Sequence, residues 1–488
     1  QARDADVQQR HLQDWWTVFQ DTTLNSLVTA AFAQNLNLRV MGTRVLQARS
    51  QQAISAGNLF TQTQEVRGLY VNGTVNGRPT YVDFTGFNLS WEADVWGRIR
   101  RGIESANAGL DASVENYDDA LVTLLADVAT NYVQYRVAQQ RLKIARANVR
   151  IQQDILTLVE QQEKVGINKV TKLDVNQART VLEQTRATIP SLEITLGQAN
   201  DTLCTLLALP PYDLERELGT GPELGDSPMP NTPSWVAAGI PADLLRLRPD
   251  VRSAERQVAA QSAQIGVAEA DLYPSLSVNG ILGYDALSLF FAPSASNGFL
   301  GLVVPNFSWK ILNYGRIVNN VRYQKARLQE LIATYQNRVL TAGREVQIPL
   351  RGFLRSREQA EDLTRSVAAA RAALAIGRDQ FRVGTIPFNT VFNLETTQVQ
   401  QQDQLVVAQG NIALNLISVY RALGGGWEIR LDRRGVGPID CGRDATAGTP
   451  PQAAPPAASS EQLPQPKDVA QPDSVQPLPG NRTGDQRP

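Results

Sequence analysis

Side chains able to do covalent or acid–base chemistry are scarce in this 488-residue chain: one histidine, His11, and two cysteines, Cys204 and Cys441. Histidine catalysis needs an imidazole poised beside a partner, and zinc sites draw on several Cys and His at fixed spacing. Neither can be built from this supply, so no catalytic, cofactor or metal site is expected. The run Gly424-Gly425-Gly426 resembles a phosphate cradle only in composition. It lacks the strand before it and the helix after it that such a loop requires, and reads as a helix terminator.

The bulk properties point away from nucleic acid. Apolar residues make up 42% and charged residues 19%, with a net charge of −1. Nothing there supplies a broad basic surface. No apolar run is long enough for a membrane-spanning helix, and no secretory signal opens the chain, so Gln1-Ala2-Arg3-Asp4 reads as a mature start. A membrane remains open as a destination, because a β-barrel crosses on short alternating strands that hydropathy misses.

An internal repeat sets the architecture. Trp91-x5-Gly97-Arg98-Ile99 recurs as Trp309-x5-Gly315-Arg316-Ile317, about 218 positions later, and Val165-Gly166-Ile167 falls on Val383-Gly384-Thr385 at that offset. Upstream, Asn37-Leu38-Arg39…Gly57…Phe60 matches Asp250-Val251-Arg252…Ala270…Tyr273 at an offset of about 213. Each copy reads as helix, β-hairpin, long helix, returning helix. The first repeat spans 1–241, with a helix at 24–60, a hairpin at 62–92, helices at 98–165 and 170–208, and a Pro/Gly-rich linker at 210–241. The second spans 242–428, with a helix at 250–273 for which Asp250 is the expected N-cap, a hairpin at 275–309, and helices at 316–383 and 387–424. Residues 429–488 pass into a Pro/Gln/Ala-rich tail that cannot bury enough apolar surface to order itself.

Apolar residues from Leu110 to Val159 recur at three and four, a coiled-coil seam with stutters along a helix about 100 Å long. Pro190 and Pro349 should kink or split their helices, or mark a junction between two stacked helices. In the hairpins, Phe87, Leu89 and Trp91 alternate with Asn88 and Ser90, and Val303, Pro305, Phe307 and Trp309 alternate with Val304, Asn306 and Ser308. Arms of about ten residues suit a tilted membrane strand. Tyr70, Tyr81, Trp91, Tyr284 and Trp309 lie where interfacial aromatic girdles are expected. Two readings stay open: membrane hairpins, or water-exposed hairpins on an antiparallel coiled-coil scaffold. Four membrane strands cannot close a barrel, so the first reading requires oligomerisation. Three chains would supply twelve strands and twelve helical rods in a quasi-sixfold ring.

The run Leu247-Arg248-Pro249-Asp250-Val251-Arg252-x2-Glu255, continuing through Ile265-Gly266-Val267-Ala268 to Tyr273-Pro274-Ser275-Leu276-Ser277, resembles the signature of the TolC-like outer-membrane efflux proteins, in the branch that serves RND-type multidrug pumps. Trp16-x2-Phe19-x-Asp21-x2-Leu24-x2-Leu27 and the paired Trp-x5-Gly-Arg motifs agree, and the likeness covers about 12–428. The resemblance implies a membrane α+β fold: a homotrimer with a 12-stranded outer-membrane β-barrel joined to a periplasmic α-helical coiled-coil barrel. It implies a Gram-negative outer membrane, no chemistry, and a small-molecule exit docked to a periplasmic adaptor and an inner-membrane pump. A type I protein-secretion exit is the alternative channel.

By position, Val165, Gly166, Ile167, Val383, Gly384 and Thr385 correspond to the tips that meet the adaptor, although the glycines serve a tight turn equally well. The closed iris of the family maps near Asp174, Asn389, Thr390, Asn393 and Glu395. Asn393 stands where an aspartate is usual, which leaves hydrogen bonds and packing to hold the iris. Asp174 fits a solvated helix position as well as a gate. The branch usually carries a lipidated cysteine upstream of the Trp-x2-Phe motif, and none precedes His11 here. The resemblance makes the linker 210–241 and the start of 429–488 an equatorial region around the helical barrel; Cys204 and Cys441 both map near it, either as a disulfide or with Cys204 as a buried thiol.

Overall fold

A computed structural model describes residues 12–75, 78–166, 170–218, 229–233, 247–284 and 299–431. The first copy comprises α1 (Thr22–Gln34), α2 (Leu36–Gly57), β1 (Thr63–Val75), β2 (Arg78–Ala93), α3 (Arg98–Val165) and α4 (Lys172–Leu206). The second comprises α5 (Pro249–Ala270), β3 (Ser275–Tyr284), β4 (Phe299–Ser308), α6 (Arg316–Arg382) and α7 (Phe388–Ala422). A helical turn, Glu215–Leu218, lies in the linker, and short 3-10 helices, Trp15–Phe19 and Trp427–Leu431, flank the whole. Most of the linker, Cys441 and the tail beyond 431 lie outside the described residues.

Three expectations need correction. The helix expected at 24–60 is two helices, because Asn35 leaves helical geometry at ψ 125° and its side chain caps α2 by accepting from Leu38 N–H at 2.8 Å. Asp250 is not the N-cap of α5. Pro249 occupies the first helical position, where its missing N–H costs nothing, so the cap falls on Arg248 and Asp250 joins the first turn. Of the outcomes expected at the prolines, the split does not occur: α4 runs through Pro190 and α6 through Pro349. Each interior proline removes one backbone bond. Packing along the rest of a long amphipathic rod outweighs that loss, and Pro349 is itself buried.

All four strands form one antiparallel sheet in the order β1-β2-β3-β4. Its register sorts the side chains. Val66, Phe87 and Leu282 fall on one face, as do Trp91, Val278 and Pro305, and Ala93, Leu276 and Phe307. Asn88, Ser90, Asn279 and Asn306 fall on the other, where Ser90 donates to Asn279 Oδ1 at 2.7 Å. Val66, Phe87, Leu276, Leu282, Val303 and Phe307 are all exposed despite being apolar.

Packing between helices follows the repeat. Within the copies α2 lies on α3, α5 on α6, α3 on α4 and α6 on α7; between them α3 carries both α5 and α7, and β2 pairs with β3. α3 is therefore the spine. Its first turn is fixed from the strand side: Asp94 accepts from Ile99 N–H and Arg100 N–H, both at 2.9 Å. These are orphan donors at a helix start, so Asp94→Ala is expected to lower stability by about 1 kcal/mol. A shift in thermal midpoint would show it; an unchanged midpoint would mean the hairpin alone positions the helix.

Candidate functional site

Three regions carry the sequence-marked residues. At the middle of the rods, the Arg-Pro-Asp motif is a joint. Arg248 is buried; its guanidinium meets Asp250 at 2.9 Å and Glu345 of α6 at 2.7 Å, and donates to the Ala422 carbonyl at the end of α7 at 2.6 Å. Burial alone would lower the Arg248 pKa, but the hydrogen bonds and charges of Asp250 and Glu345 raise it. Arg252 pairs with the buried Glu115 at 2.5 Å and lies over the Trp427 ring at 5.6 Å. Glu255 is exposed and pairs with Arg256. The motif thus fastens α5, α6 and α7 together rather than facing a ligand.

The glycine run behaves as the terminator expected. Gly424 takes φ 73°, and Gly425 N–H donates to the Tyr420 carbonyl at 3.1 Å. That left-handed turn folds the chain back onto Trp15, which stacks on Tyr420 with centroids 5.4 Å apart. Cys204 is buried and its thiol lies 3.4 Å from the Tyr212 carbonyl.

At the far end of the rods, the two turns repeat each other. Gly166 and Gly384 take φ 70° and 81°, and Val165 and Val383 beside them are 68% and 75% exposed. Thr385 N–H reaches back to the Gln380 carbonyl at 2.8 Å, closing the second turn. Ile167 lies outside the described residues. Behind the tips, Ile155, Leu156, Val159, Leu182, Leu374, Phe381, Phe388 and Val391 form a compact cluster, so the exposed valines sit on a packed base.

Next to these turns, the residues that the resemblance maps to an iris separate into three kinds. Asn389, Thr390 and Asn393 are exposed on one side of α7. Asp174 serves α4: its Oδ2 accepts from Thr171 N–H and Oγ1, both at 2.8 Å, completing a capping box. Glu395 does not join the exposed set. It is 4% exposed on the opposite side of α7, because the three-and-four spacing from Val391 to Gln398 turns it inward. Burial pushes its carboxyl up to about 7, against the opposing pull of Arg378 on α6 and Gln152 on α3. Sequence reasoning overlooked these two partners. Their signal was positional, since Gln152 interrupts the apolar series Val149, Leu156, Val159, and Arg378 interrupts Leu374, Phe381.

At the sheet end, Tyr70, Trp91 and Trp309 are exposed, and the two indoles donate to the Leu59 and Leu272 carbonyls at 3.4 and 3.1 Å. Tyr81 and Tyr284 are placed in β2 and β3 by their backbones only.

With this geometry in hand, the relatives are informative. Residues 27–209 and 240–425 match the family model of the outer membrane efflux protein. Nodulation protein T of Rhizobium leguminosarum bv. viciae is 30% identical over 85% of this chain and 84% of that protein. The cation efflux system protein CusC of Escherichia coli K12 is 28% identical over 84% of this chain and 88% of that protein. Among solved structures, the outer-membrane channel OprN superposes with a TM-score of 0.74 at 32% identity, covering 85% of this chain and 92% of that one. A structure of CusC gives 0.73 at 28%, covering 84% and 94%. The chain therefore belongs to the outer membrane efflux protein family, the TolC-like channels of the outer membrane.

Proposed function

We propose that this chain is one third of a homotrimeric exit duct that passes small molecules from an inner-membrane RND-type pump and a periplasmic adaptor to the cell exterior. The observation that carries the assembly is an asymmetry of contacts. Copy one meets copy two through β2–β3, α3–α5 and α3–α7. The counterparts, β4 against β1, α6 against α2 and α6 against α4, find no packing of comparable extent within one chain. Both sheet edges are open, and apolar side chains such as Leu46 and Ile54 on α2 and Leu340 and Ile348 on α6 are exposed. All the missing contacts run from copy two to copy one, the mark of a head-to-tail interface that closes as a ring. An exposed apolar sheet face backed by a more polar one, here carrying Leu302 and Val304 beside its amides and hydroxyls, suits a barrel in lipid, with Tyr70, Tyr81, Trp91, Tyr284 and Trp309 at its boundaries.

In this reading the rods project into the periplasm, and the tips at Val165, Gly166 and Ile167 and at Val383, Gly384 and Thr385 meet the adaptor. The constriction lies just behind them. From Phe388 to Gln402 the only ionisable residue is Glu395, and it is buried. The exposed lining would then be amides and hydroxyls, led by Asn389, Thr390 and Asn393, with Asp174 nearby. Apart from the Asp174 carboxylate such a lining is neutral, and it holds shut by hydrogen bonding and packing. That neutrality suits a family whose relatives are named for both pyoverdine export and cation efflux.

Asn393→Ala combined with Asp174→Ala is expected to raise single-channel conductance in planar bilayers severalfold. Unchanged conductance in a protein that still inserts would show that these residues do not form the constriction. A water-soluble monomer that never inserts would sink the duct itself.

A further inference from the structure

The two copies share the geometry of the first-helix end, of the indole hydrogen bond and of the glycine that opens the long helix, although the loops before those glycines differ in backbone. α2 and α5 end with the same pair of backbone bonds. In α2, Leu59 N–H donates to Ala56 and Phe60 N–H to Gly57; in α5, Leu272 N–H donates to Glu269 and Tyr273 N–H to Ala270, all at 3.1 Å. The Trp91 and Trp309 indoles donate to equivalent carbonyls, Leu59 and Leu272. Gly97 and Gly315 open α3 and α6 at φ 77° and 76°. In this correspondence Phe60 stands for Tyr273, and Tyr314 stands for Trp96.

Trp96 and Tyr273 are in contact. Their rings stack with centroids 4.6 Å apart at 18°, and the Trp96 indole donates to the Pro274 carbonyl at 2.7 Å. The contact runs from the strand-to-helix loop of copy one to the first-helix end of copy two. Its counterpart would run from the loop of copy two to the first-helix end of copy one in another chain. The two rings that would form it are bare: Tyr314 is 99% exposed and Phe60 72%. Tyr314 also holds a left-handed φ of 50°, which a bulky residue rarely adopts and which Trp96 does not share. Exposed Ile311 and Leu312 precede it, so the bare rings belong to an apolar patch rather than to scattered surface residues.

We infer that Tyr314 of one chain stacks on Phe60 of the next, repeating between subunits the Trp96–Tyr273 contact made within each. This rests on the ring reading above and names the side chains that fasten the ring where sheet becomes helix. The same correspondence supplies a second contact on the seam. Gln264 donates to Ser105 at 2.8 Å between α5 and α3, and the matching positions are Gln51 on α2 and Tyr323 on α6. Tyr323 is exposed in the single chain.

The test is cross-linking of the detergent-purified full-length chain carrying Cys441→Ser, with Cys204 left in its buried site. Phe60→Cys, Tyr314→Cys and the double variant are treated with a short bis-maleimide, and mass is read by light scattering before treatment. The expected result is a covalent trimer from the double variant and no cross-linked product from either single variant. Both positions are exposed, so neither substitution disturbs the fold of the chain. A trimer by light scattering that yields no ladder overturns the contact, places the two rings against lipid or solvent, and leaves the duct standing. Single variants that cross-link as well as the double overturn it too. A monomer by light scattering overturns the contact and the ring together.

Discussion

Arg136→Ala is expected to cost about 3–5 kcal/mol, the loss usual when one member of a buried charged network is removed. Arg136 is 1% exposed in the middle of α3, on the spine of the molecule. Its Nε donates to the Tyr132 hydroxyl at 3.1 Å, and its Nη2 reaches the Leu218 carbonyl at 2.5 Å in the linker turn. The Tyr132 hydroxyl in turn donates to Asp21 Oδ2 at 2.6 Å, while Asp21 Oδ1 caps α1 through the N–H groups of Thr23 and Leu24. Burial pushes the Tyr132 hydroxyl above its ordinary pKa, so it stays protonated and remains a donor. One guanidinium therefore ties the spine to the linker turn directly and to the N-terminal helix through Tyr132. Removing it leaves the Leu218 carbonyl without that donor and opens a cavity beside Tyr132. Thermal unfolding of the detergent-purified protein measures the loss. Tyr132→Phe provides the control: it removes one link of the chain and is expected to cost about 1–2 kcal/mol. A loss below about 1 kcal/mol for Arg136→Ala would mean that the surrounding aromatic packing, not the network, fixes the joint.

The hairpins and the long helices were legible because each rests on local periodicity, and the Trp-x5-Gly-Arg-Ile pairs gave the register expected between copies. Tight turns were legible for the same reason, since Gly166, Gly384 and Gly424 occupy left-handed backbone that other residues avoid. What local pattern could not carry was the direction of individual polar side chains on a rod packed on two sides. Glu395 sits two positions from Asn393, and two positions on a helix is about half a turn, so proximity in sequence placed them together and geometry set them apart. Asp174 was ambiguous because a carboxylate three residues after a threonine fits a cap as readily as a gate. Asn35 and Pro249 moved helix ends because capping competes with apolar periodicity at single residues. Polar interruptions of an apolar seam were the better guide to the buried sites: Arg136 beside Tyr135, Gln152 before Leu156 and Arg378 after Leu374 all proved to be buried or to have buried polar atoms.

Glu395→Gln is expected to flatten the pH dependence of stability between about pH 5 and pH 8. The carboxyl lies inside the contact among α3, α6 and α7, and its Oε1 has no hydrogen-bond partner among the described residues. Burial, the largest influence, raises its pKa from 4.5 to about 7, and Arg378 and Gln152 only partly offset it. The sign follows from proton binding. The folded protein holds the proton up to about pH 7, whereas the unfolded chain releases it near 4.5. Stability is therefore fully present below the unfolded pKa and declines as pH rises through the window, levelling off above the folded pKa. A shift of that size corresponds to about 3 kcal/mol at most across the window. Glutamine keeps the shape and removes the titration, so the variant should match the parent near pH 5 and exceed it at pH 8. Asp174→Ala, whose carboxylate caps an exposed helix end, should shift the unfolding midpoint by a smaller amount. Parent and Glu395→Gln proteins that lose stability equally from pH 5 to pH 8 would show that the carboxyl is already ionised in place, held by Arg378 as a buried pair. In that case the same substitution should destabilise at every pH, because the buried guanidinium would lose its counter-charge.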